Sequence, residues 1–185
     1  MSIYEQDARD IIRFLKNGDA LACNSLVSRH QKAVFGICVG ILKNEPLAQE
    51  VAQDVFLKAF EKLKKLENPK KFRAWLIRMA YNASIDIKRK KKRYLVHIDE
   101  KNHIRDESIS IEHQIDLNKK REVIINLIHE LGDPDSSIFT LFYMENMTTD
   151  EISNALGLTQ SNVKIKLMRG REKLKNKLKN LLNHF

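Results

Sequence analysis

Apolar residues recur at three- and four-residue intervals along most of the chain, and strand-like alternation is sustained nowhere. The stretch "ARDIIRFLKNG" ends on a glycine suited to a helix C-terminus. "ALACNSLVSRHQKAVFGICVGILKN" and "PLAQEVAQDVFLKAFEKLKKL" follow, the latter with Pro46 at a helix start, and then "KFRAWLIRMAYNASIDIKRKKKR". Periodicity weakens over residues 94–118, "YLVHIDEKNHIRDESISIEHQIDLN", and resumes in "REVIINLIHEL", "SSIFTLFYMEN" and a final pair of short helices. The pattern predicts an all-α fold class. Two small helical domains, residues 1–93 and 119–185, are joined by an acidic flexible linker at 94–118.

The final pair spans residues 147–174, "MTTDEISNALGLTQSNVKIKLMRGREKL". Thr148 and Glu151 have the spacing of a capping box, and Ile152, Ala155 and Leu156 give the first helix an apolar face. Gly157 stands where a left-handed residue ends a helix, and Thr159 or Ser161 can cap the next. Val163, Leu167 and Met168 are expected to pack that second helix on the first. Gln160, Ser161, Asn162, Lys164, Lys166, Arg169 and Arg171 lie between them. Amides and guanidinium groups match base edges, while lysines meet phosphates, so this pair fits a helix-turn-helix entering a major groove. A helical hairpin with a charged exterior has the same local pattern, so the rest of the chain must decide.

Charge does much of that deciding. The net charge of +9 divides into +10 over residues 1–93 (20 Lys and Arg against 10 Asp and Glu), −4 over 94–118 (2 against 6) and +3 over 119–185 (11 against 8). Both basic blocks concentrate their charge near the C-terminal end: "KRKKKR" at 88–93, and eight cations from Lys164 to Lys179. Two separate clusters of this kind mark a polyanion partner. Between residues 64 and 93, Pro69 breaks a helix and leaves a basic loop, Lys70 and Lys71. The next helix offers Arg73, Arg78, Asn82, Lys88 and Arg89 beside an apolar face of Trp75, Leu76, Met79 and Ala80. Aromatic rings among cations suit single-stranded nucleic acid, but one tryptophan in a helical domain is more often core, and Trp75 is read as structural.

Composition excludes other classes. The apolar fraction of 43%, with 6 glycines and 3 prolines, describes a globular helical chain. No apolar run reaches a membrane span and "MSIYEQDARD" is unlike a secretory signal, so no membrane insertion and a cytoplasmic location are expected. Cys23 and Cys38 lack CxxC spacing and are read as reduced core residues. His97, His103 and His113 have no cysteine partners, so no metal is expected. A glycine-rich phosphate loop and a nucleophile constellation are also missing, and no cofactor or catalytic residue is assigned.

In this order, three stretches resemble the bacterial extracytoplasmic-function sigma factors of RNA polymerase. "EVAQDVFLKAFEKL" (50–63) is similar to the region-two helix that docks on the clamp of the polymerase largest subunit. "FRAWLIRMAYNASIDIKRKKKR" (72–93) is similar to the segment that melts and reads the −10 element. Residues 147–174 are similar to region four, which reads the −35 element. The resemblance implies that Glu50, Gln53, Asp54, Phe56 and Leu57 bind core polymerase, with a second contact to its flap. It implies that the loop 64–72 and Asn82 trap an extruded −10 base, with Lys70, Lys71, Arg73, Arg78, Lys88 and Arg89 around it. It also implies promoter DNA as partner, an anti-sigma protein as inhibitor, no catalysis by the chain, and a linker whose six acids imitate RNA phosphates in the polymerase. The family usually begins region four with Leu-Pro, where Gly132 and Asp133 precede Pro134 here, and often begins the recognition helix with a Gly-Thr-Val type, where this chain has "SNVKIKL". The two departures keep the helix-turn-helix and alter the expected −35 preference. The competing reading is an autonomous helix-turn-helix regulator. It accounts for 147–174 but leaves the basic loop and helix at 70–93 without a role.

Overall fold

The computed structural model describes residues 2–96 and 117–183, so the acids of the expected linker, Asp99 to Asp116, lie outside the described residues. Helix α1 spans Ile3–Asn17, α2 Ala20–Leu42, α3 Glu45–Lys62 and α4 Phe72–Val96. The second half holds α5 (Leu117–His129), a short α6 (Asp135–Phe139) continued by a π-helical turn at Thr140–Met144, α7 (Thr149–Leu156) and α8 (Gln160–Asn183). No strand occurs among the described residues.

Local chemistry sets the boundaries. Ser2 and Glu5 form a capping box on α1, which ends on Gly18 at φ 64°. Asp19 then caps α2 by accepting the amides of Leu21 and Ala22. Asn44 caps α3 ahead of Pro46, and Asn68 accepts the amide of Lys70 in the tight turn that Pro69 starts. The break expected at Pro69 is therefore built as two 3-10 turns, Leu63–Lys65 and Pro69–Lys71.

Helix α2 is the centre of the first half. Leu26, Ala33, Val34, Ile37, Cys38 and Ile41 are buried against Ala48, Val51, Val55 and Ala59 of α3 and Phe72, Leu76, Ile77 and Ala80 of α4. Polar atoms join α1 to it. Asp7 is fully buried and accepts from Arg29, whose other nitrogen reaches Asp10 at 2.7 Å, and His30 Nε2 stands 2.9 Å from Asp7 Oδ1. Burial works against the Arg29 charge, but the bonds to Asp10 and Asp7 outweigh it and hold its pKa above the ordinary range.

The two halves pack on one another, α7 against α4 and α6 against α2. Two glycines one turn apart on α2 admit this approach. A Cβ on Gly36 would lie 3.6 Å from Thr140 Cγ2, and one on Gly40 would lie 3.6 Å from the His129 ring and Ser136 Oγ. Apolar burial is continuous across the seam, from Ile41 and Phe72 to Ile138, Phe139, Met147 and Ile152.

Candidate nucleic-acid and polymerase interfaces

The carboxy-terminal pair forms as its sequence predicts. Thr148 Oγ1 accepts the Glu151 amide at 3.2 Å while Glu151 Oε2 accepts the Thr148 amide at 2.8 Å. Gly157 at φ 68° ends α7, and Thr159 Oγ1 accepts the Asn162 amide to start α8. Val163 and Leu167 are buried against α7 and α6. Gly170 is also buried, because α8 passes so close to α6 that a Cβ there would sit 2.4 Å from the Phe139 ring.

On the opposite side of α8, Gln160, Ser161, Asn162, Lys164 and Arg169 are exposed. Met168, expected to pack inward, instead points to solvent, as does Ile165. Val163, Leu167 and Gly170, with Leu174 partly buried beyond them, fill its seat, and Met168 falls on the far side of the helix. Lys166 and Arg171 are tied down. Lys166 donates to Asp135 at 2.7 Å, and Arg171 donates to Tyr143 Oη at 2.6 Å with its guanidinium 5.8 Å from that ring's centre. They hold α8 on α6 and leave Lys164 and Arg169 as the free-standing cations of the first turns.

Helix α4 presents a second surface. Arg78, Asn82 and Arg89 follow at intervals of four and seven residues, so they share one outward face, and all three are exposed. Lys70 and Lys71 lie exposed in the turn before it. Trp75 is half-buried, its ring 6.1 Å from that of Phe72, which agrees with a structural role. Arg73 stands apart. Its side chain is buried under the second half, where Nη2 donates to the Glu145 carbonyl at 2.6 Å and to its carboxylate at 3.0 Å. Lys88 is drawn across to Asp133 at 2.7 Å.

A third surface lies on α3. Glu50, Gln53, Asp54 and Leu57 share an exposed face at helical spacing, with Leu57 64% exposed. Phe56, grouped with them from the sequence, turns inward at 8% exposure and stacks near Phe60. It supports that face and is not part of it.

The polar contacts of the seam were not read from the sequence. Tyr4 donates to Glu151, which raises the Tyr4 pKa, chiefly through that bond. Burial pushes the Glu151 pKa up, but the bonds from Tyr4 and Thr148 overcome it and leave it lowered. Lys43 Nζ donates to the His129 carbonyl at 2.5 Å, and burial lowers the Lys43 pKa. Burial first, and then the Lys43 charge, lowers that of His129. Gly36 and Gly40, small residues one turn apart, were the available signal of a close helix contact.

Known proteins match this arrangement. Residues 26–94 match Sigma-70 region 2 and residues 121–174 match Sigma-70, region 4. The chain is 27% identical over 182 residues to the ECF RNA polymerase sigma factor SigW of Bacillus subtilis, covering 92% of this chain and 96% of that one. It is 24% identical over 182 residues to the ECF RNA polymerase sigma-E factor of Haemophilus influenzae, covering 93% and 95%. In fold it is similar to CnrH, solved in complex with the cytosolic domain of CnrY, at a TM-score of 0.69 and 20% identity over 95% of this chain and 98% of that one. It is similarly close to the sigma factor RpoE of Bartonella quintana, solved with the anti-sigma factor NepR, at a TM-score of 0.68 and 19% identity over 84% and 96%. With both regions matched in order and a relative matched over nearly its whole length, the chain belongs to the extracytoplasmic-function sigma factors of RNA polymerase.

Proposed function

We propose that the chain binds core polymerase through the α3 face of Glu50, Gln53, Asp54 and Leu57 and places two DNA-reading surfaces on a promoter. Residues Lys70, Lys71, Arg73, Arg78, Asn82, Lys88 and Arg89 serve the −10 element, and the exposed start of α8 serves the −35 element. The observation that carries this reading is the outward stripe of Arg78, Asn82 and Arg89 on a helix preceded by a basic turn. An autonomous helix-turn-helix protein has no use for it. Cations there hold phosphates while the Asn82 amide receives an extruded base, whose removal from the stack costs a few kcal/mol.

Geometry adds a requirement. The −10 and −35 elements are separated by about 25 base pairs, or roughly 85 Å at 3.4 Å per pair. A compact chain of this length has a radius of gyration of about 16 Å. The packed halves therefore cannot engage both elements, and separation on polymerase frees Arg73 and Lys88 from Glu145 and Asp133. A protein partner that favours the packed state would keep the factor off polymerase; the solved relative RpoE is bound to an anti-sigma factor. The chain acts in the cytoplasm and carries out no catalysis itself; phosphoryl chemistry belongs to the polymerase.

Gel-shift and run-off assays with and without core polymerase test the reading. Core polymerase is expected to be required for specific binding, with start sites mapping downstream of one recurring pair of elements. Specific duplex binding by the chain alone, unaltered by core, refutes it.

A further inference from the structure

The outward face of α8 has an unexpected centre. At about 100° per residue, Ser161, Ile165, Met168 and Glu172 fall within roughly 60° of one another, diametrically opposite the buried Val163 and Gly170. Ile165 is 45% and Met168 55% exposed. Cations flank this line on both sides, Lys164 and Arg171 along one edge and Arg169 along the other. Single exposed apolar side chains are ordinary, but two on successive turns, framed by cations on a groove-entering helix, are placed where base edges would be met.

Resting on the proposed −35 reading, we infer that Ile165 and Met168 are specificity-determining residues that recognise thymine C5-methyl groups in the major groove. Lys164 and Arg169, one on each edge, face the phosphates of the two groove walls while Arg171 is held by Tyr143, so the middle of the helix faces the base pairs. The thymine methyl is the apolar feature of that groove, and aliphatic side chains pair with it. Ile165 and Met168 carry no donor, so they discriminate by burying that methyl and by leaving polar edges of other bases unsatisfied. Arg169 lies about 70° from the central line and is placed for backbone contact, whereas Glu172 ends the line with an acceptor suited to a cytosine amino group. The cationic frame favours DNA over a protein as the occupant of this stripe.

Deoxyuridine in place of thymidine removes the methyl and nothing else, and this makes the test direct. Reconstituted holoenzyme selects its −35 sequence from a duplex pool randomised upstream of the −10 element, and each selected thymine is then replaced by deoxyuridine. At one or two thymines the wild type should lose about fourfold in affinity, the value of one buried methyl. Ile165→Ala or Met168→Ala should weaken the thymine duplex similarly and abolish the deoxyuridine penalty at its own position. Arg169→Ala should weaken binding but keep the penalty. A −35 consensus without a deoxyuridine-sensitive thymine overturns the inference, as does a penalty that persists in both alanine variants. If variants and deoxyuridine both leave promoter affinity unchanged, the stripe serves a protein partner and the inference also fails. Failure to form any holoenzyme would overturn the proposed function itself and is seen before the DNA step.

Discussion

On α8 the two tied cations, Lys166 and Arg171, bond within their own half, whereas on α4 Arg73 and Lys88 are held by residues of the other half. Lys164 and Arg169 are exposed, whereas the Arg73 guanidinium lies under the second half with the Glu145 carbonyl and carboxylate, and Lys88 reaches to Asp133. The seam is built from α6 and from α7, the first helix of the helix-turn-helix, so packing occupies Arg73 and Lys88 while Arg78, Asn82 and Arg89 and the outer face of α8 stay open. This asymmetry teaches that closure of the molecule bears on −10 reading far more than on −35 reading. The cause is placement: α7 lies on α4, and α8 turns its outer face away from both.

The largest expected effect comes from breaking the first half alone. Asp7 is fully buried between Arg29 and His30, and removing one member of a buried ion cluster costs about 3–5 kcal/mol. Asp7→Ala should therefore unfold the first half in urea well before wild type. If the −35 surface is independent, the second half should keep its helical signal through that transition. A single unfolding transition for both halves would show that the seam couples them tightly.

Gly170→Ala strikes the other half. The added methyl would sit 2.4 Å from the Phe139 ring, so α8 must shift on α6. Overpacking of this kind costs about 1–3 kcal/mol, of which the better helix propensity of alanine returns roughly 1. Duplex −35 affinity should fall, while opening of a −10 bubble by holoenzyme stays near wild type. An equal loss in both assays would erase the distinction between the surfaces.

Glu145→Ala acts on the seam directly. The Arg73–Glu145 carboxylate bond is lost and the carbonyl bond remains, so closure should weaken by roughly 1–2 kcal/mol, about a 5- to 30-fold rise in separated molecules. Small-angle scattering should show a larger radius of gyration, and core polymerase should bind faster. Arg73→Ala should open the molecule similarly but lower promoter melting, if Arg73 serves the −10 element as proposed as well as latching the halves. An unchanged scattering profile in both variants would mean that these bonds do not hold the halves together.

The difference between the surfaces also explains what the sequence could reveal. The helix-turn-helix was legible in detail because its signals are local: the Thr148 box, Gly157 and the Thr159 cap act within a few residues. The exposed stripe of Arg78, Asn82 and Arg89 was legible from helical spacing. Arg73 was grouped with it, but its burial depends on Glu145, 72 residues away, and no local pattern encodes such a pairing. Met168 reads as inward because it adjoins Leu167 in the sequence, but the seated face of α8 runs through Val163, Leu167, Gly170 and Leu174, and Met168 lies about 140° around the helix from Val163. Asp7 reads as one of several surface acids on α1 until Arg29 and His30 are seen beside it.

The smallest effect, and the finest division between the halves, concerns acidity. His129 lies against Gly40 in the seam, its pKa lowered by burial and then by Lys43, with Asp133 partly opposing them. A group whose packed-state pKa is lowered takes up its proton more readily when the halves part. Above the ordinary value near 6.5 His129 is neutral in both states and contributes no pH dependence. As pH falls below that value, the separated state gains a proton that the packed state resists, and closure weakens until the lowered pKa is passed. Glu151 is also lowered, but it acts only as pH falls through the carboxylate range, in a separate and more acidic window. The radius of gyration should therefore rise modestly between about pH 7 and 5. His129→Gln should flatten that rise without altering −35 affinity, because α8 takes no part in it. A pH response that survives His129→Gln would move the titrating group elsewhere in the seam.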